Sequence, residues 1–298
     1  MTTAVPDGRP VVEMTGISIE FPGVKALDGV DLTLRPGEVH ALMGENGAGK
    51  STLIKALTGV YSIDSGRILV DGSEHTFSGP GEAQAAGVSP VYQEVNLCEN
   101  LSVAENIMLG HEPRRLGAID WRATRRRAGE MLARLNLDID PASSLSSHSL
   151  AVQQLVAICR ALVVECKVLI LDEPTSSLDA DEVAQLFAVV RRLRDEGVAI
   201  LFVSHFLEQV YEISDRMTVL RNGKLVGEYV TAELPRLELV SKMIGTSLEV
   251  LEELEEAPKR SVADREATPF VQALGVGRQG AVEPFARAVY PGAVVGRA

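Results

Sequence analysis

The sequence predicts an α/β fold: a parallel-sheet core with an antiparallel β-subdomain leaning on it and a helical subdomain inserted into it. Three observations carry this. A Gly-rich stretch, Gly44 to Thr52, lies between a short apolar strand and a helix-forming run. Two further apolar runs, Val168 to Leu171 and Val198 to Val203, do not alternate, which is how strands covered on both faces of a parallel sheet read. The opening of the chain does alternate, around Pro-Gly turns, as half-buried antiparallel strands do.

Taken in order, Val11 to Phe21 is a strand with Val12, Met14, Ile17 and Ile19 apolar, ended by the Pro22-Gly23 turn. Val30, Leu32 and Leu34 alternate again before Pro36-Gly37. Glu38 to Met43 is a short strand entering the stretch Gly44-Glu45-Asn46-Gly47-Ala48-Gly49-Lys50-Ser51-Thr52, which fits G-x-x-x-x-G-K-[ST]. Such a loop turns backbone N–H groups onto phosphate oxygens, and a Cβ at Gly47 or Gly49 would obstruct that approach. Lys50 would reach the β- and γ-phosphates of a nucleotide. Ser51 would ligate Mg²⁺, and the helix from about Lys50 would direct its positive end at the same anion.

Beyond the loop, Gly66 to Phe77 reads as a hairpin about Asp71-Gly72, and Val88 to Tyr92 as a strand ending at Gln93. From Leu101 to Val163 the pattern is helical. Within it, Met131, Leu132 and Leu135 share a face, while Arg122, Arg125, Arg126 and Arg127 form a solvated one. A helix from about Asp181 to Glu196, capped by Gly197, joins the two apolar runs.

Three buried-type strands thus end in Gly44, Asp172 and His205, and ligands of open parallel sheets sit beyond the carboxyl ends of strands. Asp172 suits Mg²⁺, directly or through water, and Glu173 suits the base for an attacking water. His205 is placed for a γ-phosphate contact. Phe21, one of few aromatics, is either a core residue or a ring stacked on adenine.

The length of 298 residues points to about two domains, and 46% hydrophobic residues supply a core. A net charge of −12 argues against nucleic acid as a partner. Cys98, Cys159 and Cys166 have no metal-site spacing and read as buried thiols of a reducing compartment. No basic leader opens the sequence, and no run approaches membrane-spanning length, so a cytosolic chain is expected.

With Gly44 to Thr52, Gln93, Val168 to Glu173, Ser177-Leu178-Asp179 and His205 in this order, the chain resembles the ATP-binding subunit of ABC transporters over about Val11 to Gly245. VYQEVNLCENLSVAENIMLG, LILDEPTSSLD and FVSHFLEQVYEISDRMTVLRNGK narrow the resemblance to importers of ribose, xylose and galactose, whose ATPase chain usually carries two nucleotide-binding domains. The resemblance implies a P-loop NTPase of ABC type, with ATP and Mg²⁺ as cofactors. Phe21 would be the adenine-stacking aromatic, Gln93 the residue linking Mg²⁺ and attacking water to the membrane partner, Asp179 a cross-dimer contact and His205 the switch histidine. The signature loop, which reaches the γ-phosphate held by a partner domain, is implied at His148 to Gln154, before a helix beginning at Gln153. Ser149 is kept there. Ala151 replaces Gly, so its Cβ would crowd a backbone donor, although the subfamily tolerates small residues there, and hydrolysis would be slowed without being lost.

The implied partners are membrane permease subunits docking near Gln93 to Leu101, a second ATP-binding domain from a copy or another chain, and indirectly a solute-binding protein. The chain would sit on the cytoplasmic face of the cell membrane. Residues 1–10 read as a tail, 11–245 as the nucleotide-binding domain with its helical subdomain at about 94–163, and 246–268 as an acidic linker. Residues 269–298 read as the opening of a second copy. There, Pro291 to Gly296 overlies Pro36 to Ala41, Ala298 falls on Met43, and Arg287 takes the place of Leu32. The sequence would then stop just before a second phosphate loop, and the tail should be loosely held or disordered. Two other functions stay open: a truncated, catalytically impaired ATP-binding remnant, and a soluble ABC ATPase of DNA repair or translation.

Overall fold

The computed structural model describes residues 9–92, 97–250, 271–278 and 282–289. The chain divides into one unit ending at Leu248 and a second beginning at Glu249.

In the first unit, β1 (Val12–Phe21) and β2 (Val24–Leu34) form an antiparallel pair, followed by β3 (Val39–Met43) and α1 (Lys50–Leu57). The hairpin β4 (Ser65–Val70) and β5 (Ser73–His75) comes next, then α2 (Pro80–Ala85) and β6 (Val88–Val91). The helical part holds α3 (Val103–Met108), a short hairpin of β7 (Arg114–Arg115) and β8 (Ala118–Ile119), α4 (Trp121–Arg134) and α5 (Leu150–Ala161). The chain then returns through β9 (Val168–Asp172), α6 (Ala180–Asp195), β10 (Ala199–Val203), α7 (Leu207–Ile213), β11 (Arg216–Arg221), β12 (Lys224–Val230) and α8 (Arg236–Ile244).

Strands β2-β1-β4-β5 make one sheet and β12-β11-β3-β10-β9-β6 the other. In the second sheet every pair is parallel except β11 with β12 at the edge. The unalternating runs are explained by two cores. Along β9, Val168 and Ile170 pack on one face with Val12, Leu32 and Leu53, while Leu169 and Leu171 pack on the other with residues of α3 to α7. Along β10, Ala199, Leu201 and Val203 face the first core, and Ile200 and Phe202 the second. Each fully buried Leu or Ile contributes roughly 1.5–3 kcal/mol, so both faces must be covered for these strands to persist. In β1 the spacing from Met14 to Ile17 breaks the period of two. A register shift between them, with Gly16 at φ 63°, returns Ile17 to the core face.

Two expectations are corrected. The stretch from Leu101 to Val163 is not helical throughout, because β7 and β8 interrupt it. Their turn, Leu116-Gly117, carries leucine at φ 54°, where Asn or Gly would have signalled a hairpin. The helix expected at Gln153 begins at Leu150, because Ser149 accepts a hydrogen bond from the Val152 N–H and caps it. In the second unit, β13 (Val271–Arg278) and β14 (Val282–Val289) pair antiparallel, with Val271 opposite Val289, much as Val12 stands opposite Leu34. The pairing covers these two stretches alone, and the rest of residues 269–298 lies outside the described residues. Cross-strand hydrogen bonds satisfy the facing backbone groups of each strand even without a large core.

Candidate functional site

The central strands β3, β10 and β9 are neighbours in the sheet, so their carboxyl ends bring Gly44, His205 and Asp172 to one rim. A cleft of about 620 Å³ opens there, lined by the loop Glu45 to Thr52, Asp172, Glu173, Val203 and His205. Its remaining wall was not expected: Val24, Lys25 and Ala26 follow the β1–β2 turn, and Asn222 and Gly223 form the β11–β12 turn. The Asn-Gly pair was a legible hairpin signal. Its role was not, since it acts at a distance in sequence: the Gly223 N–H donates to Ala48 O at 3.1 Å, and the Asp28 N–H to Gly223 O at 2.8 Å.

The phosphate-type loop is shaped by its own backbone. Gly49 stands before α1 at φ 106°, and a Cβ there would lie 2.9 Å from Leu27 Cδ2 and 3.1 Å from Ala26 O. No side chain caps α1, and its first turn has no acidic residue, so its leading N–H groups are left for an anion. Lys50 Nζ donates to Gly44 O at 2.6 Å and Glu45 O at 3.1 Å, which folds the ammonium back over the loop. Burial lowers the Lys50 pKa from its usual value, against the opposing pull of Glu173 and Asp172. The charge therefore stands where a bound polyanion would relieve its desolvation.

Asp172 ends β9. Its carboxyl is pushed above the usual range by burial first and then by Glu173, with Lys50 and Lys55 opposing. Glu173 follows in the left-handed region, at φ 50°, with its N–H donating to Val203 O at 2.9 Å. His205 Nδ1 donates to Glu173 Oε2 at 2.8 Å; the imidazole side chain is 64% exposed and the carboxylate 18%. Among the described residues no three His, Cys, Asp or Glu cluster as a metal cage. Mg²⁺ does not need one, because it is commonly held by one or two protein oxygens and by substrate phosphates. The Ser51 hydroxyl and Asp172 carboxylate fit that pattern. The cradle of Gly44 to Thr52 and the folded Lys50 fit a nucleotide polyphosphate.

Other expected residues lie apart from the cleft. Phe21 is 38% exposed, meets Tyr61 edge-on at 5.3 Å between ring centroids, and does not line the cavity. Asp179 caps α6, accepting from the Glu182 N–H at 2.9 Å, with Glu182 returning the bond to complete a capping box. Ser149 is exposed at the head of α5. Ala151, in the first turn of that helix, is only 3% exposed, so its methyl packs inward instead of projecting from the loop. Gln93 lies outside the described residues. Of the cysteines, Cys159 is buried, with its thiol pushed up to about 12, and Cys98 and Cys166 are half-buried; all three are free. No helix among the described residues is long and apolar enough to cross a membrane.

Comparison with known proteins agrees with this geometry. The chain is 59% identical over 291 residues to the fructose import ATP-binding protein FruK of Bifidobacterium longum, covering 97% of this chain and 57% of that protein. It is 49% identical over 290 residues to the galactofuranose transporter ATP-binding protein YtfR of Escherichia coli K12, with the same coverage of each. The chain thus spans about 57% of the length of these curated relatives. Among solved structures, the ADP conformation of an ATP-binding cassette of an ABC transporter matches with a TM-score of 0.71 at 25% identity, covering 82% of this chain and 99% of that one. CbiO1 of Clostridium perfringens, part of the transporter complex cbiONQ, matches with a TM-score of 0.68 at 26% identity, covering 83% and 99%. The family profile of ABC transporters matches residues 27–176, half of the sequence, and the chain belongs to that family.

Proposed function

We propose that the chain binds and hydrolyses ATP to power uptake of a monosaccharide or similar small solute through a separate membrane permease. The observation that carries the proposal is the Glu173–His205 pair, set at the strand ends beside Lys50 and Asp172 in a cleft walled by the phosphate-type loop. The names of the relatives, which concern fructose and galactofuranose, support a monosaccharide as the transported solute.

In this reading the loop N–H groups and the leading N–H groups of α1 bind the phosphates, and Lys50 neutralises charge on the β- and γ-phosphates. Mg²⁺, held by Ser51 and Asp172, would supply Lewis-acid stabilisation of charge on the same oxygens. Glu173 orients the attacking water in line and accepts its proton. His205 holds the Glu173 carboxylate through Nδ1 and leaves the other edge of its ring for the γ-phosphate. Gln93 would link this chemistry to the permease. Ser149 and Ala151, with Asp179, would complete the site of a second ATP-binding domain, from a copy or another chain. ATP-dependent closure of the two domains is then a population shift driven by contacts made only with the γ-phosphate. Residues 269–298 would open that second domain in the same chain, and a solute-binding protein would deliver the substrate. Assembly with a permease implies a peripheral position on the cytoplasmic face of the membrane, with no nucleic acid involved.

The test is the solution mass of the Glu173→Gln protein by light scattering with and without Mg-ATP, beside phosphate release by the parent chain. Phosphate release by the parent and a nucleotide-dependent dimer of the variant are expected. A protein that neither releases phosphate nor changes mass would overturn the proposal for this chain acting on its own.

A further inference from the structure

The first unit carries a surface feature that nucleotide chemistry does not use. Between His111 and Arg134 the sequence holds seven arginines against three carboxylates, in a chain whose net charge is −12. The hairpin of β7 and β8 projects Arg114 and Arg115, both exposed, and its tip residue Leu116 is 100% exposed. The hairpin closes with the Asp120 N–H donating to Pro113 O at 2.8 Å, and Asp120 then caps α4 by accepting from the Ala123 N–H. Trp121, the first residue of α4 and the sole tryptophan of the chain, is 46% exposed. Arg122 and Arg126 follow at a spacing of one helical turn, on the side away from the buried Thr124, Ala128 and Leu132.

Folding does not account for these residues. Leu116 occupies a left-handed conformation, φ 54°, that glycine or asparagine adopts more easily, and its side chain packs against nothing. Among the described residues Arg114, Arg115 and Arg122 form no ion pair, and Arg126 has only the exposed Glu130 at 3.7 Å. We infer that this hairpin and the first turns of α4 form a docking surface for an anionic lipid bilayer.

Charge complementarity and the apolar tip identify the occupant. Lipid phosphates would meet the arginines, Leu116 would enter the boundary between headgroups and acyl chains, and the Trp121 indole would lie at headgroup depth, where amphipathic rings are favoured. A nucleic-acid backbone offers the same phosphates but no apolar layer for Leu116. The acidic remainder of the chain is repelled by an anionic surface, which turns the basic face toward the bilayer. The inference does not depend on the nucleotide reading of the cleft.

Trp121 supplies the measurement. The full chain is titrated with vesicles of phosphatidylcholine alone and with about a third phosphatidylglycerol, following Trp121 emission. The expected result is a blue shift with the anionic vesicles only, reversed by added salt. Combined neutralisation of Arg115, Arg122 and Arg126 to Gln should weaken the partition on the order of a hundredfold. Leu116→Asn, which suits the turn and so preserves the fold, should weaken it severalfold. Emission that does not change, or changes equally with neutral vesicles, would overturn the inference. So would an unaltered partition of the variants, or tighter binding to a short DNA duplex than to the anionic vesicles.

Discussion

His205 and Glu173 are joined across the ends of two adjacent strands, with the imidazole Nδ1 donating to the carboxylate at 2.8 Å. The bond fixes the direction of a carboxylate whose own backbone is held at φ 50°, a conformation that costs a non-glycine residue roughly 1–2 kcal/mol. Such strain is retained where the surroundings enforce it, here through the Glu173 N–H on Val203 O. Glu173→Gln should therefore lower kcat by on the order of a hundredfold or more while leaving ATP affinity nearly unchanged. Glu173→Gly should also abolish turnover, yet raise the unfolding free energy by about 1 kcal/mol as the strain is released. Phosphate release, equilibrium nucleotide binding and denaturant melts separate these outcomes.

Gly44 links the loop to the end of the central strand β3. At φ 148°, a Cβ added there would lie 2.4 Å from Leu220 O and 2.8 Å from Ala48 Cβ, both parts of the framework holding the cleft. Neither the carbonyl nor the buried methyl can swing aside. Gly44→Ala is expected to destabilise the protein by about 2–3 kcal/mol and to weaken nucleotide binding with it. Lys50→Met should behave oppositely in the two assays. It removes a half-buried charge, so the apo protein melts no lower than the parent, while the thermal shift produced by Mg-ATP is lost. Melting curves with and without nucleotide test both.

Asp172 gives a pH dependence whose sign follows from its environment. Its pKa is raised by burial and by Glu173, so the folded state binds a proton more tightly than the unfolded one, for which the reference value is 3.8. Ionised Asp172 therefore opposes folding at neutral pH. That penalty disappears as pH falls from above the raised pKa toward 3.8. Asp172→Asn should stabilise the apo protein by about 1 kcal/mol at neutral pH, with the gain shrinking as the solution is acidified through this window. The same substitution should remove the stabilisation that Mg²⁺ adds to nucleotide binding. A variant that melts lower than the parent at neutral pH would contradict the assignment.

The cleft was legible where function is carried by local patterns. The stretch Gly44 to Thr52 announces its turn by glycine and its charge by Lys50, and the runs ending at Asp172 and Val203 announce buried parallel strands through their lack of alternation. Sheet order then brings them together. What sequence could not supply was contact between distant turns: nothing near Asn222-Gly223 indicates that it braces Ala48. Ala151 illustrates a different limit. No pattern in the sequence indicated that the Ser149 cap starts the helix at Leu150 and leaves Ala151 buried in its first turn. The β7–β8 hairpin was hidden because Leu116 occupies a turn position where leucine is rarely found.

A second bridge between the segments that carry Glu173 and His205 lies one layer further in. The buried Thr175 hydroxyl, in the loop after Glu173, donates to Gln209 Oε1 at 2.5 Å, and Gln209 belongs to α7, which follows His205. The Glu173–His205 bond is thus flanked by a bond between the same two segments, and loss of the inner one should let the outer pair drift. Gln209→Ala leaves the Thr175 hydroxyl without its partner, at a cost of about 1–3 kcal/mol. Pairing Thr175→Val with Gln209→Leu removes both polar groups, and so should return much of that stability. Turnover should respond differently, because the apolar pair supplies packing without the directional bond. We expect kcat to remain several-fold low in the double variant, with KM for ATP unchanged, since neither residue lines the cleft. Recovery of kcat along with stability would show that the bridge acts only through folding.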